Sequence, residues 1–140
     1  MNITKENILF GQRYMSQCQA IELVGKKMME LGLCKQEYIA SMQEKCAKEQ
    51  TYIGNGIGIP HGRDEVRNFV LKTGIVIVHF AEAIKYDGED TRLIIGIASN
   101  SDDHIEILQE LAIKLSDEDY VKELVETTNI NDFYTVFSEE

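Results

Sequence analysis

Residues 54–62 read GNGIGIPHG, in which four glycines and one proline surround a single histidine, His61. An imidazole is a good nucleophile near neutral pH because its unperturbed pKa is about 6.5. Ile57 and Ile59 alternate as they would along a strand, and Pro60 has no N–H to give to the next ladder position. The strand is therefore expected to end there and release His61 at its carboxyl edge, where α/β sheets bind their ligands. Gly62 is expected to take a backbone angle closed to other residues and to bring its amide close to an anion. Nucleotide loops do not fit: the dinucleotide fingerprint is broken, and no glycine of this stretch is followed by Lys and then Ser or Thr. What remains is an exposed imidazole held in a glycine-rich turn, a nucleophile able to accept a phosphoryl group; the alternative is a solvent-exposed loop histidine.

His104 stands further along, in SDDHIEILQELAIKL, where Ser101, Asp102 and Asp103 offer helix caps. Amides in a first helical turn are unpaired and aimed outward, which makes an anion site. If a buried strand precedes this helix, His104 arrives at the same sheet edge as His61, and two histidines face one phosphoryl group. The alternative is a histidine capped locally by Asp102 or Asp103. A zinc site from His61, His104 and Asp103 lacks the local HxxxH or HxxE spacing, so no metal and no cofactor is expected. His79 ends a buried apolar run and is expected to be structural.

The elements that must position these residues follow from periodicity. Ala20, Ile21, Val24, Met28 and Leu31 recur at helical spacing behind a Ser16 cap, with Gly32 as the stop. A second helix is expected from Lys35 to about Gln50, burying Tyr38, Ile39, Met42 and Cys46. Three β-rich runs follow, GIGI to Pro60, Gly74 to Phe80 and Arg92 to Ala98, the last two nearly continuous in apolar residues, as strands covered on both faces are. Beyond them the His104 helix carries Ile105, Leu108, Ala112 and Leu115 on one stripe. Two more helices are expected to be capped at Ser116 and Asn131. The fold class is α/β: a small mixed β-sheet flanked by helices on both faces, with residues 1–140 as a single domain.

Composition narrows the function classes. The chain is 44% hydrophobic and 27% charged, so it can bury a core of ordinary size without metal or disulfide help. Its net charge of -10 repels nucleic acid and anionic membrane and favours a partner with a positive face. No apolar run spans a membrane and no signal peptide opens the chain, so a cytoplasmic location is expected, with no membrane insertion. Cys18, Cys34 and Cys46 are odd in number and widely spaced, and are expected to be reduced.

The stretches TYIGNGIGIPHG, LKTGIVIVHF and RLIIGIASNSDDHIEILQELA, with the acidic tail helix, resemble the enzyme IIA domain of the bacterial sugar phosphotransferase system, mannitol branch. The resemblance runs from about Ile3 to Phe137. It implies that His61 accepts a phosphoryl group from the phosphohistidine of HPr and passes it to a cysteine of a mannitol-type enzyme IIB, with His104 as the supporting histidine. Transfer between two protein nucleophiles makes the chain a phosphotransferase that needs no cofactor. With no enzyme IIB in these residues, the acceptor is expected to be another polypeptide.

Two positions depart from the family pattern. Lys45 stands where members often carry an active-site arginine, 16 residues before the histidine; a point charge can still neutralise phosphate but loses the bidentate fork. Asn55 stands where members often place an acid, which bears on partner docking or histidine orientation. The alternative for Lys45 is a solvated helix residue. The alternative function is a regulatory module whose phosphorylation state controls a transporter, kinase or transcription factor.

Overall fold

The structure is a computed structural model that describes residues 3–45, 51–62, 64–100 and 103–138; the side chains of residues 45, 64, 103–105, 108 and 138 also lie outside the description. Among the described residues five strands are present: β1 (Ile8–Gln12), β2 (Tyr52–Gly54), β3 (Ile57–Gly58), β4 (Gly74–Tyr86) and β5 (Glu89–Ala98). The helices are α1 (Gln17–Glu30), α2 (Gln36–Lys45), α3 (Asp103–Lys114), α4 (Glu118–Glu126) and α5 (Ile130–Ser138), with short 3-10 segments at Lys5–Asn7 and Asp64–Phe69. The sheet order is β1-β4-β5-β3-β2. The outer pair β1/β4 and the inner pair β3/β5 are parallel, while β4/β5 and β2/β3 are antiparallel, so the sheet is mixed as expected.

Alternation along β4 and β5 explains the layers. Val76, Val78, Phe80 and Ile94 point into one core with Ala20, Val24 and Met28 of α1 and Tyr38, Ile39 and Met42 of α2. Ile75, Ile77, Leu93, Ile95 and Ile97 point the other way, against Leu111 of α3, Val121 and Val125 of α4, and Phe133 and Phe137 of α5. Because both faces are covered, both strands read as continuous apolar runs. The single-domain α/β architecture with helices on both faces is observed.

Several details correct the sequence reading. The described residues form five strands rather than three: β1 and β2 carried no clear alternation, and β4 continues past Phe80 to Tyr86. Asp87 and Gly88 turn that hairpin with φ of 50° and 82°, the left-handed pair of a type I′ turn. Ser16 caps α1 in a reciprocal box with Gln19, as its residue type suggests, an arrangement worth about 1 kcal/mol. The cap of α4 is Asp117 and not Ser116, its carboxylate accepting from the Asp119 and Tyr120 amides. Asn129 rather than Asn131 serves α5, its side-chain oxygen accepting from the Asn131 amide at 2.8 Å. On α3 the core residue is Leu111, while Ala112 is exposed. Cys46 lies outside the described residues. Cys34 is free and buried, but Cys18 takes part in a disulfide, which corrects the expectation of three reduced thiols.

His79 is structural, as expected. Its ring is 3% exposed, stacks on Phe10 at 4.3 Å between centroids, and meets Phe133 edge-on. Its Nδ1 accepts from the Gly11 amide at 3.1 Å, and its Nε2–H donates to the Val125 carbonyl at 2.7 Å. Arg92 donates to that same carbonyl at 3.0 Å and to Glu126 at 2.6 Å, so the two side chains together satisfy the carboxyl end of α4. Burial holds the His79 pKa below its ordinary value, outweighing the Val125 hydrogen bond. A second proton on Nδ1 would face the Gly11 N–H, donor against donor. The folded value therefore lies below the unfolded one of about 6.5, and the stability His79 contributes is complete above that pH and lost as pH falls below it. The urea midpoint is expected to drop from about pH 7.5 to about pH 5, and less steeply in His79→Gln; equal slopes in the two proteins would contradict this.

Candidate active site

His61 stands where two parallel strands end. Ile57 lies opposite Leu93 and Gly58 opposite Ile94. Beyond β3 the pairing resumes as a single bridge between His61 and Ile97. Ile97 donates its amide to the Pro60 carbonyl at 3.0 Å, so Pro60 keeps its acceptor role while supplying no donor. Ile59 donates its amide to Thr51 at 2.9 Å, fixing the chain from the β2 side.

The imidazole is half-buried rather than fully exposed. Its Nδ1 lies 2.9 Å from the Ile59 carbonyl oxygen. A carbonyl only accepts, so the proton sits on Nδ1 and the lone pair on Nε2. In this tautomer Nε2 is the ring atom with an electron pair to donate.

The glycines around it do two different jobs. Gly54 and Gly56, with Asn55 between them at φ 53°, adopt the left-handed backbone of the β2–β3 turn. Gly58 and Gly62 provide room instead. A Cβ on Gly58 would lie 2.7 Å from the Tyr86 ring, and one on Gly62 only 2.4 Å from the Tyr38 ring. Gly62 does not take a positive φ, so the expectation of a special backbone angle is corrected: its use is close approach of the Tyr38 ring.

Asn55 is remote from His61. Its side-chain amide donates to the carbonyls of Leu115 and Ser116 at 3.0 and 3.3 Å, at the far end of α3, which is about 18 Å long. A carboxylate has no proton to give those carbonyls, so Asn suits both the turn and the helix end. Thus Asn55 orients the hairpin against α3 and does not touch the histidine.

The start of α3 follows the carboxyl end of β5, so the backbones of His61 and His104 come to one end of the sheet. The His104 side chain lies outside the described residues. Lys45 is the last residue of α2, seven residues or about 10 Å of helix beyond Tyr38; its side chain also lies outside them. No group of three metal-ligating side chains occurs among the described residues.

The whole chain, residues 1–140, matches the family described as the phosphoenolpyruvate-dependent sugar phosphotransferase system, EIIA 2. The chain belongs to this EIIA family. A mannitol-specific phosphotransferase enzyme IIA component of Bacillus subtilis is 33% identical over 98% of this chain and 96% of its own length. The crystal structure of IIA mannitol from Escherichia coli superposes with a TM-score of 0.88 at 31% identity, covering 97% of this chain and 99% of that one. A complex of the Escherichia coli mannitol enzyme IIA with phosphorylated enzyme IIB has a TM-score of 0.89 at 30% identity, over 98% and 97% of the two chains. In this EIIA chain no described helix is long and apolar enough to cross a membrane. Sequence reasoning took Tyr38 only for a core residue of α2. A tyrosine on an apolar helix face needs a partner for its hydroxyl, and that was the available signal.

Proposed function

We propose that this chain, as one enzyme IIA-type domain over residues 1–140, is a phosphohistidine carrier for mannitol uptake, working in the cytoplasm. The observation that carries the reading is the His61 ring, whose Nδ1 lies 2.9 Å from the Ile59 carbonyl, a contact that in the neutral ring keeps the proton on Nδ1 and the lone pair on Nε2. It is supported by the likeness to mannitol enzymes IIA along almost the whole chain.

In the first step the Nε2 lone pair attacks the phosphorus of phospho-HPr. The new N–P bond forms as the donor's N–P bond breaks, and that electron pair returns to the donor ring. The His61 proton stays on Nδ1, where the Ile59 oxygen faces the positive charge the ring gains. In the second step the thiolate of an enzyme IIB cysteine attacks; the S–P bond forms, the N–P bond breaks, and its electrons return to Nε2. A loose transition state leaves the protein mainly positioning and charge stabilisation to supply. His104 and the first amides of α3 stabilise the phosphoryl oxygens in this reading, and Lys45 adds positive charge.

Mixing the phosphorylated chain with a mannitol-type enzyme IIB tests the assignment. Rapid loss of label to the cysteine is expected. Label retained in the presence of several such acceptors would overturn the transport reading and favour a regulatory module.

A further inference from the structure

Tyr38 sits beneath the histidine turn without taking part in the chemistry above. Its ring is 3% exposed, in the first turn of α2. Its hydroxyl donates to the carbonyl of Ile97 at 2.8 Å, a contact across 59 residues of sequence. Ile97 is the residue that bridges His61, and its amide is the one that holds Pro60. The Ile97 residue is thus held at both backbone ends, by the phenol at its oxygen and by Pro60 at its nitrogen. The same ring fills the space above Gly62 that a Cβ would need. Burial raises the phenol's pKa, opposed in part by the Gly62 amide, so the group remains a neutral donor at physiological pH.

We propose that Tyr38 is a positioning residue for His61: its buried hydroxyl locks the end of β5, and through Ile97 and Pro60 fixes the angle at which the imidazole is presented. The proposal rests on His61 being the phosphoryl acceptor. Without the hydroxyl the Ile97 carbonyl, in a residue 1% exposed, loses its side-chain partner. The end of β5 is then tied to the histidine turn through its backbone bridge without the anchor on α2, and the freedom it gains passes to Pro60 and His61.

Tyr38→Phe removes the hydroxyl while keeping the ring against Gly62. The rate constant for phosphoryl acceptance from phospho-HPr, at saturating donor, is expected to fall about tenfold, with KM for phospho-HPr unchanged. Nitrogen-15 spectra of the free protein should show one His61 tautomer, protonated on Nδ1, in the parent chain and a mixture in the variant. Val121→Ala, which cuts into the opposite core, is the control: it should lower the melting temperature without moving either readout. A labelled parent with unchanged rate and spectrum in Tyr38→Phe would overturn this proposal alone. Equal changes in Val121→Ala would also overturn it, by reducing Tyr38 to a general contributor to stability. A parent that phospho-HPr does not label at His61 would overturn the carrier reading, and this one with it.

Discussion

Replacing His61 by alanine is expected to abolish phosphoryl acceptance from phospho-HPr while the fold survives. The ring is half-buried at the end of the sheet and belongs to neither hydrophobic cluster. Alanine removes the nucleophile of the proposed transfer together with the hydrogen bond to the Ile59 carbonyl, a contact worth about 1 kcal/mol in stability. His79, the other histidine whose side chain is described, cannot take over. His79 has both nitrogens engaged in the interior, its Nε2–H on Val125 and its Nδ1 on Gly11. The check is label incorporation together with the far-ultraviolet circular dichroism of the variant. Label at the parent rate in a folded His61→Ala protein would remove the assignment.

The second large effect belongs to His104. Its backbone lies in the first turn of α3, at the end of the sheet where β3 and β5 finish and where a helix start offers unpaired amides. His104→Ala is expected to leave His61 able to accept the phosphoryl group but to slow onward transfer to enzyme IIB by roughly ten- to a thousandfold, as the loss of an oxyanion donor does. Amides of the first turn remain, and they keep the site from falling silent. Single-turnover transfer from the phosphorylated variant measures this directly. Transfer at the parent rate would return His104 to a local helix-capping role.

Much of this arrangement was legible because local chemistry and global fold agree. Pro60 cannot donate, so a strand had to stop before His61, and β3 does end at Gly58. Ser16 and Gly32 mark the ends of α1 by cap chemistry, and the apolar runs of β4 and β5 announced a sheet covered on both faces. The misses have physical causes as well. β2 is three residues long and β1 is broken by a bulge around Gly11, too little alternation to stand out. The Asp87–Gly88 pair was a usable hairpin signal, and it explains why β4 and β5 run on past the predicted limits. On α3, Leu111 and Ala112 are neighbours on the helical wheel, and only packing against the sheet decides between them.

The candidate site was legible in the histidine at the sheet edge and not in what supports it. His61 announces itself through Pro60 and Gly62, whereas Tyr38 acts on residues far along the chain, so nothing in its own surroundings marks it. Gly62 shows the same limit. A glycine beside a histidine suggests an unusual backbone or a close approach, and only the Tyr38 ring reveals which of the two is required. Asn55 was visible as a departure from the family pattern, but its work at the end of α3 depends on a helix sixty residues away.

The central claim is that Nε2 of His61 carries the phosphoryl group. It is tested most directly by incubating the chain with phosphoenolpyruvate, enzyme I and HPr, then mapping any added phosphoryl group by mass spectrometry at alkaline pH and assigning the ring nitrogen by NMR. One phosphoryl group on Nε2 of His61 is the predicted result. Phosphate on Nδ1, on another residue, or on none would contradict the account.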